Sequence, residues 1–281
     1  MLTAVNEKGT NMNRDDIISL AETFISDSPN NYITEEIALS PKCVGIKIFD
    51  TPIFAFGSPD DDLYIKYKSF DAIGSHFLCP AEWLPSTKTV ISFFLPYTNV
   101  IRKANSADNR FPADEWLHGR YEGQQLLAQM SEHLVNALVE AGYNSLAPSF
   151  DQRYNTGNVE KNIKNTSNWS ERHVAFACGL GAFGLSKGLI TKKGTCGRFG
   201  SILTELDLPK DGRDYNDIYE YCTMCGVCIY RCPVNAISLE SGKQSELCRE
   251  FLVKVGEMHN PRYGCGKCQT RVPCESRLPV K

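Results

Sequence analysis

The cysteines of this chain are crowded at one end. Eight of the 12 cysteines in 281 residues lie between Cys222 and Cys274. A chain of this length buries roughly 75% of the surface that its unfolded form exposes, so it does not need disulfides to hold a core together. In a reducing compartment thiols stay reduced, and a cysteine-rich segment then points to a metal or redox site. The crowding predicts such a site in the last quarter of the chain.

The spacing of the first four crowded cysteines is the run C-x2-C-x2-C-x3-C-P, which ends at Pro233. In bacterial ferredoxins three cysteines of this run bind one [4Fe-4S] cluster, and the fourth binds another. The run therefore predicts two clusters. The ligands of the first cluster (the first cysteine set) are expected to be Cys222, Cys225, Cys228 and Cys274. Those of the second cluster (the second cysteine set) are expected to be Cys232, Cys248, Cys265 and Cys268. Two zinc sites are the alternative, but zinc does not require this run.

The segment LPKDGRDYNDIY, Leu208 to Tyr219, is rich in turn-forming and acidic residues and predicts an exposed connection. We place a domain boundary near residue 212. Residues 1–212 are predicted to form an α/β cofactor-binding domain, and residues 213–281 a ferredoxin-like domain with two clusters.

Hydrophobic periodicity predicts alternating helices and strands in residues 1–212, as in layered α/β architecture. A helix over IISLAETFI is expected to be capped by Asn13 or Asp15. The longest helix is expected between Ala113 and Ala141, and another after Trp169 with Ser170 as its cap. The predicted strands are Cys43–Asp50, Thr89–Tyr97, GLIT and FGSILTEL.

The charge balance gives no sign of a general polyanion-binding protein. There are 30 basic and 33 acidic side chains, for a net charge of −3. This balance provides no global attraction to nucleic acid or anionic lipid, although a local basic patch is compatible with it. The apolar stretches are far shorter than the ~20 residues of a membrane-spanning helix. The polar N-terminus has no apolar leader segment, so a cytoplasmic location is expected.

Three segments resemble the epoxyqueuosine reductase family, whose plan is shared by respiratory reductive dehalogenases. They are ERHVAFACGLGAFGLSKGLITKKGTCGRFGSILTELDL, CTMCGVCIYRCPVNAI and GCGKCQTRVPC. The similarity runs over roughly residues 87–274, and GLGAFG and the cysteine order are its most specific parts. The resemblance implies an α+β protein in which a nitroreductase-like α/β domain holds a corrinoid, with the cobalt close to the nearer of two cubane clusters.

The resemblance also assigns a cofactor-binding motif. Its members here are Gly179, Leu180, Gly181, Phe183 and Gly184, and bare glycine backbone allows a macrocycle to approach closely. Two other interpretations stay open. Glycines at the end of a helix commonly act as caps, and GLGAFG matches the G-x-G-x-x-G dinucleotide pattern, although it ends a helix instead of following a strand.

The chain departs from the family at its proton donor. The family has an aspartate six residues before the motif glutamate, and the corresponding position before Glu171 is Asn165, whose amide is not a general acid. Tyr121, in HGRYEGQQ, lies near a tyrosine position of the family and either donates a proton or packs. The spacing between Cys268 and Cys274 also departs, with five intervening residues where the family usually has three.

These observations favour an oxidoreductase that passes single electrons through two [4Fe-4S] clusters to a corrinoid, as a cob(II)alamin reductase. The missing acid at Asn165 favours this function because electron transfer to cobalt needs no protonated organic substrate. The expected partners are a corrinoid or corrinoid protein and a ferredoxin- or flavodoxin-type donor. One alternative is an epoxyqueuosine reductase acting on tRNA. The other is an electron-transfer module without its own corrinoid.

Overall fold

A computed structural model describes residues 12–158 and 163–280, with the side chains of 156–158 and 163–165 outside the description. The helices are α1 (Arg14–Asp27), α2 (Asp62–Lys66), α3 (Pro80–Trp83), α4 (Asn99–Ala107), α5 (Asp114–Glu140), α6 (Glu171–Ala177), α7 (Val227–Tyr230) and α8 (Ser245–His259). The strands are β1 (Ile53–Gly57), β2 (Thr89–Pro96), β3 (Ser145–Leu146), β4 (Thr156–Asn158), β5 (Ile163–Ser167), β6 (Gly181–Phe183), β7 (Leu189–Thr191), β8 (Gly197–Thr204), β9 (Ile237–Ser238) and β10 (Gly242–Lys243).

The main sheet has four antiparallel strands in the order β1-β2-β8-β3. Strand β2 pairs with β8 along its whole length, from Thr89 opposite Thr204 to Pro96 opposite Gly197. Every residue of β2 is buried, which explains its mostly apolar sequence, since a strand covered on both faces does not alternate regularly with polar residues. The prediction of a strand at Thr89–Tyr97 is confirmed.

Helices cover both faces of this sheet. Side chains of β2 alternate between two cores: Ile91 and Phe93 pack with residues of α1 and α5, whereas Val90 and Phe94 pack with residues of α6. Helix α1 begins as predicted, because Asn13 forms a capping box with Asp16. The 27-residue α5 confirms the predicted longest helix. The structure is therefore a mixed arrangement in which helices pack on both faces of an antiparallel sheet.

The predicted strand at Cys43–Asp50 is wrong. This segment starts with a 3-10 turn at Pro41–Cys43, and Gly45 then takes a left-handed φ of +77°, which interrupts an extended chain. Only isolated bridges remain, between Tyr32 and Lys47 and between Phe49 and Tyr97. Cys43, Ile48 and Phe49 of this segment are buried in the core without being part of a ladder.

The cysteine-rich segment, Cys222–Cys274, contains α7, the β9–β10 hairpin and α8. It packs against the rest of the chain through Phe251 and Val255 of α8, which contact Leu117 of α5. The boundary near residue 212 and the nitroreductase-like assignment remain predictions. No helix within the described residues is long and apolar enough to cross a membrane.

Candidate redox site

A cleft of about 640 Å³ separates the α5 and β8 side of the molecule from the cysteine-rich segment. Helix α5 contributes Trp116, Arg120 and Gln124, which share one helix face because they are four residues apart. Strand β8 contributes Arg198 and Phe199. The cleft is thus built by elements that are far apart in sequence.

The second cysteine set lines this cleft. Its members come from the turn after α7, the first turn of α8 and the loop after α8. All four line the cleft: Cys232, Cys248, Cys265 and Cys268. Burial raises the pKa of the Cys268 thiol, and the neighbouring thiols of Cys248 and Cys232 raise it further. The structure therefore brings these four thiols together beside the cleft.

The first cysteine set lines a separate, smaller pocket with the members Cys222, Cys225, Cys228 and Cys274. The chain turns sharply there, with left-handed φ values at Met224 and Gly226. Burial raises the pKa of Cys274 to about 12, and the thiols of Cys222, Cys228 and Cys225 add to the shift. The longer spacing before Cys274 does not separate it from its set, because the Thr195 N–H donates to the Cys274 carbonyl at 3.0 Å and holds this part of the loop.

Four thiols line each of the two pockets. Within the described parts of the chain, no three His, Cys, Asp or Glu side chains are arranged to hold one metal ion. A cubane does not require such convergence, because each thiolate binds a different iron. The donor set of four thiols per pocket fits one [4Fe-4S] cluster in each.

A carboxyl group also lines the cleft, at Glu171. The Ser149 hydroxyl donates to its Oε1 at 2.5 Å and the Ser201 hydroxyl donates to its Oε2 at 2.7 Å. The Trp169 indole N–H in turn donates to Ser201 at 3.0 Å. Burial raises the pKa of Glu171 to about 7, against the opposing effect of the serine hydrogen bonds. A carboxyl that titrates near neutrality is suited to general acid catalysis.

Four cationic side chains line the same cleft: Arg120, Arg172, Arg198 and Lys243. The Arg198 guanidinium donates to Gln124, and its buried Nε has no hydrogen-bond partner among the described residues. Aromatic faces of Phe199 and Tyr263 stand beside these donors. This combination fits a large ligand rich in hydrogen-bond acceptors, such as a corrinoid with its amide-bearing rim or a nucleotide.

The glycine motif lies outside the cleft. A Cβ on Gly179 would stand 2.7 Å from the Gly212 carbonyl oxygen, and one on Gly181 would stand 2.4 Å from that of Ile190. These glycines therefore allow close backbone packing within the protein. Leu180 and Phe183 belong to the α6-side core, and Gly184 lines the pocket of the first cysteine set. The structure thus does not bring the predicted cofactor-binding residues to the cleft.

Of the two predicted catalytic residues, Tyr121 lies outside the cleft. Tyr121 follows Arg120 on α5, and successive helical residues point about 100° apart. Its ring lies under the Arg262 guanidinium, 5.8 Å away, and does not line the cleft. Asn165 belongs to β5, and its side chain is outside the described part of the structure.

Sequence reasoning overlooked several lining residues. Glu171 served only as the reference point of a motif, and Arg198 and Lys243 were not considered. One signal was present in the sequence, since Trp116, Arg120 and Gln124 recur at four-residue spacing within α5. The serine partners of Glu171 had no local signal.

Comparisons with known proteins identify a matching domain model and several similar proteins. A model for a 4Fe-4S binding domain matches residues 215–238, which include the C-x2-C-x2-C-x3-C-P run, so the chain contains a ferredoxin-like 4Fe-4S domain. The epoxyqueuosine reductase of Staphylococcus aureus is 25% identical over 245 residues, covering 78% of this chain and 59% of that relative. The chain therefore spans less than two thirds of the length of this relative.

Solved structures share the fold. An epoxyqueuosine reductase crystallised with an epoxyqueuosine-modified tRNA-Tyr stem loop matches with a TM-score of 0.53 and 15% identity, over 95% of this chain and 66% of its own. A reductive dehalogenase described for B12-dependent dehalogenation matches with a TM-score of 0.51 and 16% identity, over 81% of this chain and 30% of its own.

These findings correct the main functional prediction. A cob(II)alamin reductase is wrong, because the matched curated relatives are epoxyqueuosine reductases, which had been the alternative. The inference from Asn165 considered one acid position and did not weigh the carboxyl of Glu171, which lines the cleft. The chain is similar in sequence to epoxyqueuosine reductases and shares its fold with them and with reductive dehalogenases, as its motifs predicted.

Proposed function

We propose that this chain is an iron–sulfur reductase of the epoxyqueuosine reductase type that acts on a modified nucleoside in tRNA. One observation carries the proposal: the second cysteine set and the Glu171 carboxyl line the same cleft. Removal of an epoxide oxygen consumes two electrons and two protons and yields an alkene and water. A site that supplies both electrons and a proton to one cavity is suited to this reaction.

Electrons reach the cleft one at a time in this proposal. Cys225 of the first cysteine set is exposed, so the first cluster can accept electrons from a ferredoxin- or flavodoxin-type donor. The second cluster then passes them to the cleft, because its four ligands line that cavity. The two clusters form a path from the surface to the substrate.

A corrinoid fits the cleft between the second cysteine set and the arginines. Arg120 and Arg198 would hold its hydrogen-bond acceptors, and Phe199 and Tyr263 would pack against it. When bound, it would supply a cobalt centre that accumulates the electrons delivered singly by the clusters. The chain itself orients the ligand and excludes water on the aromatic side.

Glu171 delivers a proton to the departing epoxide oxygen. Its two serine partners fix both carboxyl oxygens at the cleft wall, and the raised pKa keeps the acid partly protonated at neutral pH. The second proton comes from solvent, and the oxygen leaves as water. This role supplies the acid that Asn165 cannot provide.

The cations of the cleft suit a nucleic acid substrate despite the net charge of −3. Phosphate contacts by Arg and Lys provide most of the affinity for nucleic acids and position the substrate. Arg172 and Lys243, which are not assigned to the corrinoid, supply this local basic surface.

The test uses the full chain with reconstituted clusters, cobalamin, titanium(III) citrate and an anticodon stem loop that contains epoxyqueuosine. Mass spectrometry of the digested nucleosides is expected to show loss of one oxygen from the modified base. A matched stem loop with guanine at that position is the control for background. An unchanged nucleoside, in a sample whose clusters are reduced and reoxidised normally, would refute the proposal.

A further inference from the structure

Lys267, between Cys265 and Cys268, is fully buried. Its Nζ donates to the main-chain oxygen of Asn105 at 2.8 Å and to the Asn105 Oδ1 at 3.2 Å. Both acceptors are neutral. None of the ion pairs among the described residues includes Lys267.

Arg231, immediately before Cys232, has similar surroundings. It is 6% exposed, and its Nε donates to the Thr270 carbonyl at 3.2 Å. Its other nitrogens donate to the Asn109 side chain and to the Thr270 hydroxyl. It too forms no ion pair among the described residues.

Two buried cations without carboxylate partners are costly, because desolvated charge needs a counter-charge. The ionisable groups that act on Lys267 are Cys265 and Asp108, which favour its cationic form, and Arg231, which opposes it. In the sequence, each cation immediately precedes a member of the second cysteine set. A [4Fe-4S] cluster with four thiolate ligands has a net negative charge, which increases when the cluster accepts an electron.

We infer that Lys267 and Arg231 are the built-in counter-charges of the second cluster and set its reduction potential. Both cations stabilise the reduced cluster more than the oxidised one, so they raise its potential. The electron is thereby favoured on the cluster that lines the cleft. The inference rests on the proposed cluster assignment but is independent of the nucleoside substrate, so either one can fail while the other holds.

The test is a redox titration of the reconstituted full chain, followed by EPR and with iron content measured for every variant. Two one-electron steps are expected in the wild type. In Lys267→Met the reduction potential of one step should fall by about 59 mV. At a fixed potential, the ratio of reduced to oxidised cluster then falls about tenfold. The other step should stay in place. Lys267→Arg should retain most of the wild-type potential, and Lys66→Met, an exposed lysine on α2, should change neither step.

If Lys267→Met fails to assemble a full complement of iron, Arg231→Gln decides the question. Gln keeps a donor for the Thr270 carbonyl while it removes the charge, and a shift of one step in the same direction is expected. Unchanged potentials in a variant with full iron content would overturn the inference. An equal shift of both steps would overturn it as well, because the effect would then not belong to one cluster.

Discussion

The side-chain amide of Asn105 donates a hydrogen bond at 3.0 Å to the main-chain oxygen of Cys265. This contact joins α4 to the loop of the second cysteine set across 160 positions of sequence. Asn105 is completely buried, and its Oδ1 accepts from the Ala113 N–H at 3.1 Å and from Lys267. A single amide therefore connects the N-terminal helices to the proposed ligand loop.

Replacement of this amide should loosen the ligand loop. Asn105→Ala leaves the Ala113 N–H without its acceptor and the Cys265 carbonyl without its donor, at a cost of about 1–3 kcal/mol. We expect a lower unfolding temperature and loss of iron from the second set. The control is Ser106→Ala, one position along the helix, which should change stability by less than about 0.5 kcal/mol. Equal thermal stability of the two variants would contradict the role of Asn105.

The proposed acid should show itself in the pH dependence of the rate. Glu171 has a raised pKa of about 7, so its protonated fraction falls as the pH rises through neutrality. We expect kcat/KM of the wild type to decrease above about pH 7. Glu171→Gln should lower kcat by about 100- to 10,000-fold and remove that decrease. A variant that keeps wild-type activity would exclude Glu171 as the proton donor.

The same pKa shift predicts an effect on stability. Because the pKa is raised on folding, the stabilising contribution of the protonated carboxyl is complete below the unfolded value of 4.5 and is lost as the pH rises through about 7. Gln mimics the protonated carboxyl. Glu171→Gln should therefore gain thermal stability relative to the wild type between pH 5 and pH 8, as measured by unfolding temperature at both values. A constant difference between the two proteins would contradict the shift.

Iron content tests the ligand sets. Cys225→Ala should lose about half of the iron through the first set, and Cys268→Ala about half through the second. The double variant should lose nearly all of it. Cys79→Ala is the matched control, since Cys79 is a partly buried thiol in neither pocket. Full iron content in either single variant would show that its ligand assignment is incorrect.

Gly266 is required for the ligand loop to pack. It has a left-handed φ of +65°, and a Cβ there would stand 1.9 Å from Trp116. Gly142 also has a positive φ, of +91°, but a Cβ there would meet nothing within 4 Å. Gly142→Ala should cost about 1–2 kcal/mol for backbone strain alone. Gly266→Ala should cost a further ~1–3 kcal/mol for overpacking. Equal unfolding free energies would rule out the steric role.

The cleft arginines should determine the salt dependence of RNA binding. Arg172→Ala is expected to weaken binding of an anticodon stem loop and to reduce the slope of log affinity against log salt by about one, because this exposed cleft residue is proposed to contact one phosphate. Lys66→Ala, on the exposed face of α2, should leave the slope unchanged. Fluorescence anisotropy at several salt concentrations measures both quantities. The same slope in both variants would place the phosphate contacts elsewhere.

Several features followed from the sequence because their determinants are local. The mostly apolar sequence of β2 and the helical periodicity of α5 are properties of neighbouring residues, so both elements were predicted. The cysteine spacing likewise led to two sets of four thiols, and the fold gathers each set around its own pocket. Cys43–Asp50 failed as a strand because one glycine turned the chain.

Only the tertiary structure determined what surrounds the cleft. Ser149, Glu171 and Ser201 come from separate segments, and burial in their common contact is what moves the pKa of the carboxyl. Lys267 finds its acceptors on Asn105, in another helix. Gly179 and Gly181, from the motif that suggested a cofactor site, lie against neighbouring backbone. Ligand spacing is set by covalent proximity, whereas desolvation and electrostatic pairing depend on residues that meet only when the chain folds.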